Sequence, residues 1–274
     1  MNQVFEHFIL SVFPKQLFTA FVGKFAKSSF SRYFIPLFIR YYQINCSEAE
    51  WNIDKYENLQ QFFCRKLKQG VRPVCSLGIS APVDGCVSEL GSIQQGTMLQ
   101  AKGNEYLLED LLASIDDAKQ YMGGTYITIY LSPRNYHRIH MPYDGTCVKW
   151  VHVPGRLFPV NPMGVRSISG LFTKNERVIT HVKSSSGSFC LVKIGAAGVG
   201  SVRTSFIPKY HNHARRNKVD FGKLDIQKRR GEELGWFEFG STVILVFEPG
   251  MVKKFTVNTG DFVQMGKQIA VNLI

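Results

Sequence analysis

The alternation of short apolar runs with turn residues beyond Val71 constrains the fold more than any other feature. Runs rich in β-branched and apolar residues recur at Thr125–Leu131, Cys147–Val153, Phe189–Ile194 and Thr242–Phe247, with Gly, Pro, Asn and Asp between them. Runs with such boundaries predict β-strands, and their close spacing favours antiparallel pairing. We therefore predict an α+β fold that is mostly β, with an antiparallel core like a sandwich or a small barrel and amphipathic helices near the N-terminus.

Two segments carry a helical period instead. Residues 47–70 begin at Ser47, a favourable N-cap followed by acidic residues, keep apolar residues three and four apart, and end at Gly70. Residues Tyr106–Ala113 form the second predicted helix.

Residues 1–43 differ from residues 44–274 in their phenylalanine content. Nine of the 21 phenylalanines lie in the first 40 residues, and Phe18, Phe21 and Phe25 are spaced so that they share one helix face. Lysines lie between them and acidic residues are scarce. An aromatic face with interspersed cations is typical of a helix that lies in a membrane surface, and helices packed into the protein's own core are the alternative. We predict a membrane-associating helical region at 1–43.

Charge and cysteine usage narrow the class of protein. The chain has 33 Lys and Arg against 21 Asp and Glu, a formal net charge of +12, which favours an anionic partner. No apolar run reaches the roughly 18 residues of a membrane-spanning helix, and lysines interrupt the apolar start that a secretory signal needs. The six cysteines include no CxxC pair, so we predict reduced thiols rather than a disulfide framework or a zinc ribbon.

One pair of histidines could bind a metal. His211 and His213 are alternate residues, which point the same way on a strand, and zinc peptidases of β architecture use such a pair. The pair lies in the basic stretch 209–230, so two exposed histidines in a loop are the simpler interpretation. A non-enzymatic basic module that binds a membrane or nucleic acid is a further alternative. The sequence has no P-loop, no G-x-S-x-G elbow and no H-E-x-x-H motif.

Five segments combine turn residues with groups that could carry chemistry. They are Ala81–Val87 with Asp84, Tyr130–Pro142 with His137 and His140, Gly155–Pro162, Leu171–Val178, and Gly231–Ile244 with Gly240, Ser241 and Thr242. A serine directly after a glycine can attack the glycine carbonyl when a base removes its proton, which moves the acyl group from nitrogen to oxygen. On a helical turn, His137 and His140 would share a face.

Together with Phe62–Pro73, and in this order, these segments resemble the phosphatidylserine decarboxylase family over nearly the whole chain. The resemblance implies a proenzyme that cuts itself between Gly240 and Ser241. The products would be a β chain, residues 1–240, and an α chain, residues 241–274.

The resemblance also assigns roles to three residues. It implies a charge relay in which Asp84 orients His140, and His140 takes the proton of Ser241, by the logic of a serine triad. Residues 44–274 would then form the catalytic domain. His137 is a candidate for proton transfer or for a contact with the substrate.

The cofactor and substrate follow from the same resemblance. Ser241 would become a covalent pyruvoyl group, so neither a metal nor an added cofactor is expected. The pyruvoyl carbonyl would form a Schiff base with the amine of phosphatidylserine and act as an electron sink. Loss of CO2 would give phosphatidylethanolamine.

The implied partners and location agree with the basic charge. The substrate would be phosphatidylserine in an anionic membrane, and no nucleic acid is expected to bind. The α and β chains would form a heterodimer, and these heterodimers would form a homo-oligomer. The protein would lie peripherally on the cytoplasmic side of the cell membrane.

Two residues depart from the family pattern: Asn135 stands where Asp is common and Phe239 where Leu is common. We expect Asn135 to affect the contacts or the pKa of His137.

Overall fold

The computed structural model describes residues 23–101, 104–196, 202–206, 218–238 and 241–273. In chain order the strands are β1 (Ile79–Ser80), β2 (Gly85–Ser92), β3 (Thr97–Ala101), β4 (Asn104–Leu107), β5 (Thr125–Leu131), β6 (Arg138–His140), β7 (Gly145–Val153), β8 (Arg177–Ser184), β9 (Gly187–Ile194), β10 (Val202–Thr204), β11 (Asp220–Lys228), β12 (Glu233–Phe237), β13 (Ser241–Phe247), β14 (Val252–Phe255), β15 (Phe262–Val263) and β16 (Gln268–Asn272). The described α-helices that lie wholly in these ranges are α1 (Ile35–Tyr42), α2 (Leu59–Phe63), α3 (Leu108–Leu112), α4 (Ile115–Tyr121), α5 (Pro162–Ser167) and α6 (Leu171–Lys174).

The fold is organised around one eight-stranded sheet. Its strand order is β11-β7-β8-β9-β13-β5-β2-β15, and every neighbouring pair is antiparallel. Smaller sheets have the orders β1-β16-β14, β10-β12-β6 and β3-β4. The predicted mostly-β, antiparallel fold is confirmed, and all four predicted runs are strands of the large sheet.

Strand β13 lies near the middle of this sheet, and all seven of its residues are buried. Its side chains therefore alternate between two cores. Val243 and Leu245 face a core shared with the two three-stranded sheets. Ile244 and Val246 face a second core, which the short helices α3 to α6 cover. The large sheet is thus buried on both faces at β13, which explains why this strand is almost continuously apolar.

The helix predicted over residues 47–70 is wrong. The structure instead has short 3₁₀ helices at Cys46–Glu48 and Ile53–Lys55, followed by α2. Asn45 and Asn58 accept hydrogen bonds from backbone N–H groups two and three residues later. Such asparagine caps start new helical turns, and they divide the segment into short pieces.

The helix predicted over Tyr106–Ala113 is partly right. Tyr106 belongs to β4, where it pairs with Met98, and the helix α3 starts at Leu108. The basic stretch 209–230 was expected to be a loop or a hairpin. Residues 207–217 lie outside the described residues, and 220–228 form β11, an edge strand of the large sheet.

The described part of the N-terminal region is helical. Residues 23–27 form helical turns, Ser29–Phe34 form a 3₁₀ helix, and α1 follows. Ala26 and Ile35 pack against Tyr56 and Phe62 in a third core. None of the described helices combines the length and the hydropathy that crossing a bilayer requires.

Candidate active site

Ser241 is the first residue of β13 and lies between two neighbouring strands. It pairs with Leu131 of β5, and its side chain is fully buried. Its Oγ has no hydrogen-bond partner among the described residues. A buried hydroxyl without a partner costs roughly 1–3 kcal/mol, so such groups in native proteins call for an explanation, and a catalytic role is one. Gly240 and Phe239 lie outside the described residues.

Asp84 lies in the turn before β2, on the far side of β5 from Ser241. The register places Cys86 and Thr242 opposite the same residue of β5, Tyr130. The Asp84 carboxylate accepts hydrogen bonds from Arg72 Nε at 3.0 Å and from Arg72 Nη2 at 2.6 Å. It also accepts a hydrogen bond of 2.8 Å from the backbone N–H of Met265. Asp84 therefore ties the C-terminal segment to the segment around Arg72.

His140 ends β6 and is held through both ring nitrogens. Nδ1 lies 2.7 Å from the carbonyl oxygen of Gly231, and Nε2 lies 3.0 Å from Tyr136 Oη. A carbonyl oxygen can only accept, so Nδ1 carries the proton and Nε2 accepts a hydrogen bond from Tyr136. Burial lowers the pKa of His140. The imidazole is therefore neutral near pH 7, and Nε2 is its basic nitrogen.

The backbone brings Asp84 close to His140 without joining their side chains. The backbone N–H of His140 donates to the carbonyl oxygen of Pro82, two residues before Asp84. Across the part of the chain that the structure describes, no hydrogen bond joins the side chains of Asp84, His140 and Ser241 to one another. The relay inferred from the sequence stays a prediction.

His137 is a second buried histidine beside this group. Its Nδ1 lies 2.9 Å from the carbonyl oxygen of Asn135, while Nε2 has no hydrogen-bond partner among the described residues. The ring packs on Phe63 with centroids 4.0 Å apart. Burial lowers its pKa to about 3. Residues 132–137 form a turn, and β6 is extended. His137 and His140 therefore do not lie on a helical turn, and the shared helical face that the sequence suggested is not formed.

The chain leading to Ser241 is anchored at His137. The backbone N–H of Phe237 donates to the carbonyl oxygen of His137, and Cys64 Sγ donates to the carbonyl oxygen of Phe237. Next along the chain, Glu238 is buried and pairs with Arg203 at 2.8 Å. The segment that enters the predicted cleavage site is thus fixed up to residue 238.

The comparison with known protein families decides the class of this arrangement. A sequence profile of the phosphatidylserine decarboxylase family matches residues 59–271. The chain belongs to this family. It is therefore a decarboxylase of the lyase class, as the resemblance implied.

Curated relatives agree over almost the full length. A phosphatidylserine decarboxylase proenzyme of Brevibacillus brevis is 43% identical over 264 residues, which cover 94% of each chain. Proenzymes of the same name from Acidovorax ebreus and Myxococcus xanthus are 40% and 37% identical over 247 and 270 residues. These alignments cover 88% and 96% of this chain and 87% and 96% of the relatives. All three are named as proenzymes, so the relatives are made as precursors.

Asn135, a departure from the decarboxylase pattern, has a structural role here. Its Oδ1 accepts hydrogen bonds from the backbone N–H of Ser132 at 2.8 Å and from the Ser132 hydroxyl at 2.7 Å. An amide oxygen meets both donors as a carboxylate would. The contact with His137 is made by the Asn135 backbone carbonyl, which the side-chain change does not remove.

Sequence reasoning missed the groups that hold the decarboxylase's predicted relay residues. Arg72 binds Asp84, and Tyr136 and the Gly231 carbonyl bind His140. Arg72 lies in the segment Phe62–Pro73, which is part of the family resemblance. The sequence therefore shows the residue, but it does not show that Arg72 binds Asp84. A backbone carbonyl 91 residues away leaves no sequence signal.

The segment Leu171–Val178 contains a polar turn that the structure explains without chemistry. Arg177 donates to the carbonyl oxygens of Leu111, Thr173 and Asn175, at 2.7, 2.7 and 3.0 Å, and to that of Asp110. Asn175 Nδ2 donates to the carbonyl oxygens of Phe158 and Gly195, each at 2.9 Å. We call residues 175–177 the NER turn; it fixes several loops around the start of β8.

The metal hypothesis receives no support from the described residues. His211 and His213 lie outside them. Within the described ranges, no group of three or more His, Cys, Asp and Glu side chains is placed to hold a metal ion.

Proposed function

We propose that this chain is a self-processing, pyruvoyl-dependent enzyme that converts phosphatidylserine to phosphatidylethanolamine and CO2 in phospholipid biosynthesis. The observation that carries the proposal is Ser241. It is a fully buried serine at the first residue of a central strand, and its hydroxyl has no hydrogen-bond partner within the described part of the chain. It also follows a glycine, in a chain whose relatives are named as proenzymes.

The proposed cut starts with attack of Ser241 Oγ on the carbonyl carbon of Gly240. The C–N bond breaks as the C–O bond of an ester forms, and the nitrogen of Ser241 becomes a free amine. Elimination across the Cα–Cβ bond of Ser241 releases the carboxylate of Gly240 and leaves a dehydroalanine. Hydrolysis of its imine tautomer releases ammonia and leaves a pyruvoyl group at the start of the α chain.

His140 is the base that we assign to this step. Its Nε2 is the unprotonated nitrogen, and burial keeps the ring neutral at working pH. His140 Nε2 accepts a hydrogen bond from the Tyr136 hydroxyl. Before Ser241 can be deprotonated, this hydroxyl must either rotate away or transfer its own proton to Nε2. Asp84 would stabilise the imidazolium that forms, because its negative charge favours the protonated ring.

Once formed, the pyruvoyl carbonyl supplies an electrophile for the serine amine and a sink for the electrons released with CO2. His137 is the group that we assign to proton transfer in this second reaction. No described residue bonds its Nε2, which is available for a hydrogen bond, and its low pKa keeps the ring neutral.

The α and β chains of the proposed enzyme would stay together after the cut. In the α chain, β13 lies between β9 and β5, β15 pairs with β2, and β16 pairs with β1. All four of those neighbouring strands belong to the β chain. We also propose that these heterodimers form a homo-oligomer, because the edge strand β11 leaves Phe221 exposed.

Membrane association is proposed for the described part of residues 1–43. We call its exposed apolar side chains the N-terminal patch: Phe30, Tyr33, Phe34, Leu37 and Tyr41. Exposed Lys24, Lys27, Arg32 and Arg40 surround it, and residues 23–43 include no acidic side chain. Aromatic rings at the acyl boundary with cations beside lipid phosphates fit peripheral binding to the anionic cytoplasmic leaflet.

A vesicle assay tests the proposed reaction. Purified protein is incubated with phosphatidylserine vesicles, and phosphatidylethanolamine and CO2 are measured together. We expect the two products in equal amounts, and we expect cyanoborohydride with substrate to add the lipid to the α chain. A correctly cut, folded protein that releases no CO2 from phosphatidylserine would contradict the proposal.

A further inference from the structure

Arg65 is a buried arginine with unused hydrogen-bonding capacity. Arg65 lies just after the end of α2 in the chain, and the residue is only 4% exposed. Nη2 donates to the carbonyl oxygen of Arg134 at 3.1 Å and reaches that of Asn135 at 3.5 Å. Nε and Nη1 are buried and have no hydrogen-bond partner among the described residues.

No carboxylate compensates this charge at short range. Within the described part of the chain, no Asp or Glu oxygen lies within 4 Å of the Arg65 guanidinium. The ring of Phe62, with its centroid 5.2 Å from Cζ, supplies a weak cation–π contact. Burial lowers the pKa of Arg65, yet a guanidinium stays protonated at neutral pH. A buried cation that no described carboxylate compensates is costly, and an anion that reaches it is bound strongly.

The position of Arg65 connects it with the candidate active site. Arg65 Nη2 and His137 Nδ1 both approach the carbonyl oxygen of Asn135. The positive charge of Arg65 also lowers the pKa of His137, after the larger effect of burial. The Arg65 guanidinium therefore lies beside the turn that carries His137, the histidine that we assign to the decarboxylation step.

We propose that Arg65 binds the phosphodiester of the phospholipid head group in the mature enzyme. This inference rests on the proposed function, since it places the substrate next to His137. Arg65 Nε or Nη1 can give a charge-assisted hydrogen bond to an unesterified oxygen of the phosphodiester, whose negative charge pairs with the guanidinium. The serine carboxylate is the weaker candidate, because pairing it would stabilise the ground state of a group that must leave as neutral CO2.

The test compares Arg65→Lys with the wild type and with Arg177→Lys. Arg177 is the matched control, because it is equally buried and all its guanidinium nitrogens donate to backbone carbonyls. Self-cleavage is measured by intact mass, and decarboxylation kinetics are measured in mixed micelles. Glycerophosphoethanolamine, which has a phosphodiester and no carboxylate, and acetate are the competing probes.

We expect Arg65→Lys to be cut like the wild type, to raise KM for phosphatidylserine about tenfold or more, and to change kcat little. Glycerophosphoethanolamine should inhibit the wild type and the Arg177→Lys control, and should inhibit Arg65→Lys at least tenfold more weakly. Acetate should inhibit none of them. Inhibition of the wild type by acetate and not by glycerophosphoethanolamine would overturn the phosphodiester assignment.

Unchanged KM and unchanged inhibition in a cut Arg65→Lys variant would overturn the proposal. An uncut Arg65→Lys variant would also overturn it, since Arg65 would then serve the precursor. If lysine disrupts folding, the fully cut wild type still decides, because glycerophosphoethanolamine must shift the Nε resonance of one buried arginine in it. A wild type that is itself uncut contradicts the proposed function, and so the two failures are distinguishable.

Discussion

The NER turn and the candidate active site are both buried and polar, and they differ in how their polar groups are satisfied. In the NER turn, every nitrogen of the Arg177 guanidinium and both polar atoms of the Asn175 amide have hydrogen-bond partners. In the candidate active site, Ser241 Oγ, His137 Nε2 and two nitrogens of Arg65 have none among the described residues. Both regions border the same large sheet.

The difference separates a structural role from a chemical one. A satisfied buried network stabilises one conformation, and each of its members is expensive to remove. Unsatisfied groups cost stability in the precursor, so their presence together in one place calls for a function. Polar motifs in a sequence can therefore be separated into structural and chemical ones only when the hydrogen-bond partners of their side chains are known.

The largest effect is expected for the base of the self-cleavage step. His140→Gln should slow the cut by about 10³-fold or more, because removing one member of a serine-type triad has an effect of that order. His181→Gln is the matched control, since His181 is a buried histidine bonded to Tyr121 outside this site. Intact mass over time measures both. A His140→Gln variant that matures at the wild-type rate would remove His140 from the step.

The two buried arginines should lose different amounts of stability on replacement by an apolar residue. Arg177→Met strands four backbone carbonyls and should lower the free energy of unfolding by about 3 kcal/mol. Arg65→Met removes an uncompensated charge and should cost about 1 kcal/mol or less. Urea denaturation of both in the Ser241→Ala background keeps a single chain. Equal losses for the two variants would break the comparison between the regions.

The pH dependence of stability tests the buried neutral histidines. Burial lowers the pKa of His137 to about 3 and that of His181 to about 4. The unfolded chain binds protons on both below about pH 6.5. The folded state does not bind these protons until a lower pH. The free energy of unfolding is therefore unaffected by the two histidines above about pH 6.5, and it decreases as the pH falls toward 4.

Each histidine should contribute a slope of about 1.4 kcal/mol per pH unit between pH 4 and 6. In the Ser241→Ala background, His137→Asn should reduce the measured slope by that amount. Urea midpoints at several pH values measure it. An unchanged slope would mean that His137 titrates alike in the folded and unfolded states.

The smallest effect is expected for the N-terminal patch. Replacing Phe30, Tyr33, Leu37 and Tyr41 by Ser should weaken binding to phosphatidylserine vesicles about tenfold, because apolar area leaves the acyl boundary. Phe221→Ser on the edge strand is the control and should bind like the wild type, unless oligomerisation carries the binding. Vesicle pelleting measures both. Full pelleting of the patch variant would exclude it as the anchor.

The sequence predicted the fold better than it predicted the helices. The run Thr125–Leu131 is β5 to the residue, because alternation and turn boundaries are local signals. The helix at 47–70 failed because Asn45 and Asn58 use their side chains to start new turns, and residue-level helical spacing does not report such competition.

The candidate site was predictable as a set of residues and not as a set of contacts. Motif order predicts Asp84, His140 and Ser241 as the site residues, and this assignment stays a prediction; the structure brings the three segments to one region around β5. The partner of each depends on distant segments, such as Met265 for Asp84 and Gly231 for His140. The unsatisfied state of Arg65 is likewise a property of its three-dimensional neighbours.

Intact mass under denaturing conditions tests the central claim most directly, for the wild type and for Ser241→Ala. We predict two wild-type fragments that divide between residues 240 and 241. The smaller fragment should be lighter than its coded mass by the change from an N-terminal serine to pyruvoyl. Ser241→Ala should remain one chain. A folded wild-type protein of full coded mass, uncut, would contradict the account.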